Sequence, residues 1–323
     1  MKVKEDNSLT PEEVASILKI TKHTVYEMVK RGELPAYRIG RKIRIEQSDV
    51  ESYIKQGKKL EQLAEPSNMV KMATADFRSN LRPESPPPTN ALVICGQDIL
   101  LDILAHHLES HPRGCRTFRH NVGSFSGLSY IYQNRAQMAA IHLWDGDSDT
   151  YNTPFVRRLV PGIPTVLIHL AFRMQGFYVA KDNPKNIQGW EDLTRTDLVL
   201  VNRETGCGTR VLLDEHLHRL KIDRHLINGY ENEELTHLAV ASKVARGLAD
   251  YALGNEKAAL QVRGIDFIPL QKERYELVMR KEDMELPHFQ AVLDILTSGA
   301  FRAELEGLGD YDLSETGRIV AEV

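Results

Sequence analysis

The sequence predicts a chain of more than one domain: a small α+β module, then a spacer, then a larger α/β body. Residues 8–55 are dense in helix signals and close on an alternating, strand-like stretch. Residues 56–90 lose apolar periodicity and end in Arg82-Pro83-Glu84-Ser85-Pro86-Pro87-Pro88. Consecutive prolines lack backbone donors and favour an extended path, so this stretch reads as a linker that stiffens towards its end. A short helix within 58–75 is also expected, since Leu60, Leu63, Val70 and Met72 can pack. From Ala91 onward apolar strands alternate with helical runs, which predicts parallel sheets covered on both faces.

Composition narrows the class. The chain has 323 residues, 42% hydrophobic and 27% charged, so it can build a large core. No apolar run approaches the ~18–20 residues of a membrane span, and Met1-Lys2-Val3-Lys4-Glu5-Asp6 has no secretory core. A cytoplasmic location is expected. The three cysteines, Cys95, Cys115 and Cys207, are odd in number and widely spaced, which argues against a disulfide framework or a zinc knuckle. The net charge of -4 divides into +4 over residues 1–60 and -8 over the rest, so a polyanion partner belongs at the N-terminal end.

The module is justified element by element. Thr10 can cap a helix whose first position is Pro11 and whose first turn holds Glu12 and Glu13. Val14, Ile17 and Leu18 form its apolar stripe. Lys19-Ile20 then separate it from a second helix, capped by Thr21 and ending near Gly32. This is a helix-turn-helix, whose second helix would present Lys22, His23, Thr24 and Tyr26 to base edges. Leu34 to Ile45 alternates about Gly40 and predicts a β-hairpin. Its Arg38, Arg41, Lys42 and Arg44 would meet phosphates. Gln47 to Ile54 closes the module as a helix, with Ser48 a candidate cap. The motifs Leu9-Thr10-Pro11-Glu12-Glu13, Thr24-Val25-Tyr26, Gly32-Glu33-Leu34-Pro35-Ala36 and Asp49-Val50-Glu51 resemble the excisionase-type winged helix-turn-helix, a relative of MerR-like domains. The resemblance covers about 47 residues and implies a double-stranded DNA partner.

In the body the expected strands are 91–96, 138–143, 165–170, 176–180, 197–202 and 264–270, with helices at 99–108, 209–220, 235–248 and 287–306. Four stretches carry chemistry: Cys95-Gly96-Gln97-Asp98, Asn121 to Leu128, His142 to Asp145, and Asn202 to Arg210. Strand-to-helix turns offer free backbone N–H groups at the positive end of a helix dipole. Glycine allows close approach, and Ser or Thr adds a neutral donor. Converging turns of this kind make an anion site, to which Arg203 or Arg210 could add charge.

Gly123-Ser124 to Gly127-Leu128, Ala139 to Leu143, Gln175 to Ala180, Asn183-Pro184-Lys185, Asn202 to Asp214, Gly229-Tyr230-Glu231, Thr236 to Ala241 and Asp266 to Leu270 together resemble a periplasmic-binding-protein domain of type 2. The pattern is similar to receptors for molybdate and tungstate. The resemblance implies a two-lobed α/β fold in residues 91–323. Lobe one would span about 91–168 and 270–323, and lobe two about 172–266. The module would span 1–57 and the linker 58–90. The implied ligand residues are Gly96, Gln97, Ser124, Ser126 and His142 from lobe one, and Arg203, Thr205, Gly208 and Thr209 from lobe two.

Other residues read more plainly. His142 and His237 suit structural hydrogen bonds, though a histidine at a strand end could touch ligand. Cys207, at a helix N-terminus, could have a lowered pKa. Tyr151-Asn152 could line the cleft, and Trp144 and Trp190 suit a core or lobe edge. No phosphate loop, Gly-x-Ser-x-Gly or His-Glu-x-x-His occurs, so no enzyme, catalytic residue, resident cofactor or metal is expected, although a paired-carboxylate site, set by folding, stays open and with it a third reading, an enzyme on a phosphorylated or carboxylated metabolite. The combined reading is a DNA-binding homodimer that senses an oxyanion, molybdate or tungstate. The other reading is a molybdopterin carrier or assembly protein tethered to DNA.

Overall fold

The computed structural model describes residues 8–30, 34–39, 42–50 and 91–323. The linker with its expected short helix and proline run, Gly32, Gly40 and Arg41, and residues 51–54 of the closing helix lie outside the described residues. The chain divides into two compact units, Met1–Glu84 and Ser85–Val323.

In the first unit β1 (Ser8–Leu9) leads to α1 (Pro11–Leu18), α2 (Lys22–Lys30), β2 (Tyr37–Ile39) and β3 (Lys42–Glu46). The start of α1 is a capping box: Thr10 Oγ1 accepts from Glu13 N, and Thr10 N donates to Glu13 Oε2 at 2.7 Å. Lys19, left-handed at φ 54°, turns the chain, and Thr21 Oγ1 then accepts from Thr24 N at 3.2 Å to start α2. Val14, Val25, Met28, Leu34, Ile45 and Val50 form the core, where β3 sends Ile43 and Ile45 inward. β2 and β3 pair antiparallel, with Tyr37 opposite Arg44, as the expected hairpin.

In the second unit β4 (Ala91–Cys95), α3 (Leu100–Ser110), β5 (Arg116–His120), α4 (Ser124–Tyr132) and β6 (Met138–Ile141) build a parallel β4-β5 and β4-β6 core. A small hairpin, β7 (Trp144–Asp145) and β8 (Thr150–Tyr151), and α5 (Thr153–Leu159) lead into β9 (Thr165–Ala180). Lobe two contains β10 (Asn202–Arg203), α6 (Gly208–Leu220), β11 (Glu233–Glu234), α7 (His237–Ala245), β12 (Tyr251–Asn255) and α8 (Glu256–Ala259). The chain returns along β13 (Ile265–Arg280) and ends with α9 (Pro287–Thr297), α10 (Gly299–Leu308) and β14 (Ile319–Glu322).

Four expectations need correction. The sheet is mixed, not parallel: its seven strands run β12-β9-β13-β6-β4-β5 with β14 also on β9, and β13 is antiparallel to both β6 and β9. The strands expected at 165–170 and 176–180 are one strand of 16 residues, because Ala171 to Gln175 stay paired with Gln271 to Tyr275 of β13. The strand expected at 197–202 reduces to Asn202–Arg203 on β11 and a single bridge from Leu200 to Tyr251. The helix expected at 287–306 also breaks, at Ser298, which is extended (φ -72°, ψ 144°) and caps α10 by accepting from Phe301 N.

The two long strands run through both lobes. Alternation along β9 serves two faces: Val166, Ile168 and Leu170 enter one lobe-one core, while Leu167 enters the other. Further along, Phe177 and Val179 pack with Leu200, Leu213 and Tyr251, and Tyr178 packs with Val240 and Val244. Each lobe is therefore a sheet region covered on both faces, joined through the middle of β9 and β13.

Candidate functional site

The site forms where helix starts from the two lobes meet. Gly123, the N-cap of α4, lies so close to lobe two that a Cβ there would sit 2.8 Å from Cys207 Cα. Cys207 is itself the N-cap of α6. Phe125 N donates to Gly206 O at 3.1 Å across this junction. Gly208 is needed for the same closeness, since a Cβ would lie 2.6 Å from the His142 ring. Gly208→Ala should cost about 1–3 kcal/mol by overpacking, read as a lower Tm. Gly299→Ala, where a Cβ meets nothing within 4 Å, should leave Tm nearly unchanged.

Two helix N-termini thus line one narrow chamber of about 20 Å³. That is room for a small group rather than an organic molecule. Gly96, Gln97, Ser124, His142, Arg203, Gly208 and Thr209, all expected ligand residues, line it. Ser126 and Thr205 do not; they line a wider vestibule of about 680 Å³ outside it. Gln97, Asp98, Gly123, His237 and Asn255 border both spaces, so the two are continuous. The vestibule also presents Ile99, Leu235 and Leu238, which are 45%, 71% and 46% exposed.

Arg203 bridges the lobes. Its Nη2 donates to Gln97 Oε1 at 2.7 Å and to Leu235 O at 3.0 Å, and Glu204 pairs with it at 2.7 Å. Gln97 Nε2 returns a bond to Glu204 Oε1 at 3.2 Å. Arg203 Nη1 is buried without a partner. Arg210, the other candidate cation, instead pairs with Asp214 and Glu233 within lobe two, so it braces α6.

Sequence reasoning missed a buried charge network centred on Arg173. Arg173, midway along β9, lies 2.5 Å from Asp98 Oδ2 and 2.5 Å from Glu273 Oε1. Glu273 Oε2 also meets His142 Nδ1 at 2.6 Å, and Asp98 Oδ1 accepts from Tyr311 OH at 2.6 Å. Burial works against the Glu273 carboxylate, yet Arg173 and His142 outweigh it and hold its pKa down to about 2. Burial likewise opposes the Arg173 charge, but Glu273 and Asp98 raise its pKa, so it stays a cation. Tyr275 and His237 also line the chamber, and Tyr275 OH and His237 Nδ1 are buried without partners. Burial, then Arg203, His142 and Arg173, push His237 well below its ordinary value, so it is neutral at pH 7. It is not the bonded structural histidine expected of it. A signal for Arg173 was present: a lone arginine in the apolar run 165–180, placed opposite Glu273 by strand register.

Two further readings change. Burial raises the Cys207 thiol to about 11 despite the nearby Arg203, so the expected lowering does not occur. Asn152 does not line the cleft: it is fully buried at φ 63°, accepting from Leu143 N and donating to Glu276 Oε2 at 2.9 Å. Tyr151 lines a separate hollow behind the cleft. Among the described residues no cluster of His, Cys, Asp or Glu is arranged to hold a metal ion.

In the N-terminal unit Lys22, His23 and Tyr26 are exposed on α2, and Thr24 is half-buried with its hydroxyl 2.8 Å from that of Thr21. Lys22 pairs with Glu12 of α1. Arg38, Lys42 and Arg44 fall on the hairpin strands, and Arg44 is half-buried.

This architecture has known counterparts. Residues 105–297 match the PBP superfamily domain, more than half of the chain. The chain is a member of the PBP superfamily. Ahead of the PBP domain, residues 8–58 match a helix-turn-helix domain. The uncharacterized protein YvgK of Bacillus subtilis is 39% identical over 320 residues, covering 98% of this chain and 99% of its own length. A Clostridium pasteurianum protein, encoded in the 5′ region of a 2Fe-2S ferredoxin gene, is 63% identical over 113 residues; these are 35% of this chain and all of that protein. Among solved structures, a putative phosphate-transporter substrate-binding protein of Clostridium perfringens, with bound phosphate, has a TM-score of 0.50 at 12% identity, covering 69% of this chain and 99% of its own. A peroxide-bound OxyR mutant from Corynebacterium glutamicum also reaches 0.50, at 15% identity over 93% of this chain and 89% of its own. Both likenesses concern the fold alone.

Proposed function

We propose that this PBP-superfamily chain is a ligand-responsive transcriptional regulator: its helix-turn-helix module binds an operator, and the chamber of its PBP domain senses a small oxyanion. One observation carries the ligand class. The starts of α4 and α6 line one small chamber that Arg203 also lines, and Arg203 Nη1 is buried without a partner. Unpartnered buried donors at converging helix N-termini are matched by a compact anion. Molybdate and tungstate, like sulfate four-oxygen dianions at neutral pH, are put first because the body's motifs resemble receptors for them. A ligand that touches both lobes favours their closed arrangement and so biases the state of the regulator. The reading includes a homodimer on two operator half-sites, since one small module buries little DNA surface, and it assigns no catalytic step.

Thermal unfolding of the purified protein against molybdate, tungstate, sulfate and phosphate tests the ligand claim. A ligand specific to the folded state raises Tm by mass action. A rise with molybdate or tungstate supports the reading, and no rise with any oxyanion sinks it.

The DNA half has its own test. Arg44→Ala should weaken binding to all sequences alike and lower the salt-dependence slope by about one. Lys22→Ala should change sequence preference instead. Salt titrations on a selected operator and on random DNA separate the two, and unaltered binding in both variants would reject this docking.

The vestibule favours a second reading. Its ~680 Å³ and its exposed Ile99, Leu235 and Leu238 suit an organic ligand. A molybdopterin carrier would fill it, and pterin absorbance copurifying with the protein would move the assignment there.

A further inference from the structure

Behind the cleft the lobes are strapped together a second time. The β7-β8 hairpin leaves lobe one and places Trp144 in the lobe-two core. His216 of α6 is stacked between Trp144 and Trp190, at ring-centroid distances of 4.5 and 3.7 Å. His216 Nε2 meets Gln271 Oε1 of β13 at 2.8 Å, and Gln271 Nε2 donates to Tyr151 OH at 2.9 Å. Beside this strap is a hollow of about 450 Å³ that shares no lining residue with the chamber or the vestibule. Lobe one's hairpin, the middle of β9 and β13, and lobe two's α6 all contribute to it.

Its chemistry is specific. Trp144, Tyr151, Phe172 and His216 supply aromatic edges: His216 is stacked on both faces, and Lys272 and Arg274 stand 4.4 and 5.0 Å over the Phe172 ring. Lys272, Arg274 and Arg219 supply the cations. Lys272 is answered by Asp312 at 2.6 Å, and Arg274 by Glu276 at 2.8 Å and Glu315 at 3.2 Å. Arg219 stands 5.3 Å over the Trp144 ring and has no acid partner among the described residues. Asp149, the carboxylate of the lining, accepts from Trp144 Nε1 at 3.1 Å.

We propose that this hollow is a second ligand site, taking a small aromatic carboxylate that pairs with Arg219 and packs against the aromatic edges. The volume falls in the range of small-molecule sites. One unanswered guanidinium, forked and planar, matches one carboxylate rather than a dianion. Because the walls belong to both lobes and to the strands between them, occupancy biases the lobe angle and couples reciprocally to the cleft ligand. This rests on groups distinct from the oxyanion chamber and stands or falls apart from it.

The chain's two tryptophans both belong to the stack, so intrinsic fluorescence reports on this place. Phenylacetate titrated into the full chain should give a saturable change, and the neutral phenylacetamide should not. Arg219→Gln, an exposed position, should weaken phenylacetate binding about tenfold or more. No saturable response to phenylacetate, an equal response to phenylacetamide, or undiminished binding by Arg219→Gln would each overturn the proposal.

Discussion

Arg173→Met is expected to destabilise the PBP domain by about 3–5 kcal/mol, because it leaves Asp98 and Glu273 buried around a vanished cation. A methionine fills much of the space, so the loss is electrostatic and not a cavity. The sign of the pH dependence identifies the cause. In the parent, Glu273 is held down to about 2 in the folded state, below its ordinary value. Its stabilisation is therefore full above that ordinary value and fades as pH falls towards about 2. Removing Arg173, the strongest opponent of burial, should let the Glu273 pKa rise above its ordinary value although the His142 and Gln175 contacts remain. The variant should then lose stability as pH rises through that raised value, the reverse of the parent. Urea unfolding across pH checks this, and Glu273→Gln added to Arg173→Met should restore part of the loss.

Arg203→Gln should abolish or weaken oxyanion binding by about ten- to a hundredfold, the scale of one charge-assisted contact. It removes the unpartnered Nη1 and also the Nη2 bonds to Gln97 and Leu235 that cross or frame the cleft. Glu204 is 18% exposed in its side chain, so its released carboxylate can reach water and the fold should survive. Calorimetry with molybdate on both proteins reads the change. Arg210→Gln offers the contrast: its partners Asp214 and Glu233 are local to lobe two, so it should lower Tm with a smaller effect on affinity.

Local signals made much of the fold legible. The Thr10 capping box, the two-residue turn before α2 and the alternation of the hairpin are written within a few residues of where they act. The glycines of the site could be read because each brings backbone to backbone or to a ring, as at Gly123 and Gly208. Non-local pairing was harder. A 16-residue strand that changes lobe midway looks like two short strands, because Phe172 to Gln175 interrupt the apolar run and their reason lies on β13. The mixed sheet was hidden similarly, since strand direction is settled by partners distant in the chain. Arg173, Glu273 and Tyr275 belong to no turn motif; only the β9-β13 register brings them to the chamber. Ser126 and Thr205, in the expected segments, line the vestibule rather than the chamber. Cys207 was misjudged because its helix N-terminus was visible in sequence and its complete burial was not.

The most direct test of the account is operator affinity of the full chain at fixed salt, with and without the oxyanion that raises its Tm. A ligand-responsive regulator should show a several-fold change in affinity in the parent, of either sign, that disappears in Arg203→Gln while Arg203→Gln still binds DNA. Equal operator affinity with the chamber filled and with it empty would contradict it.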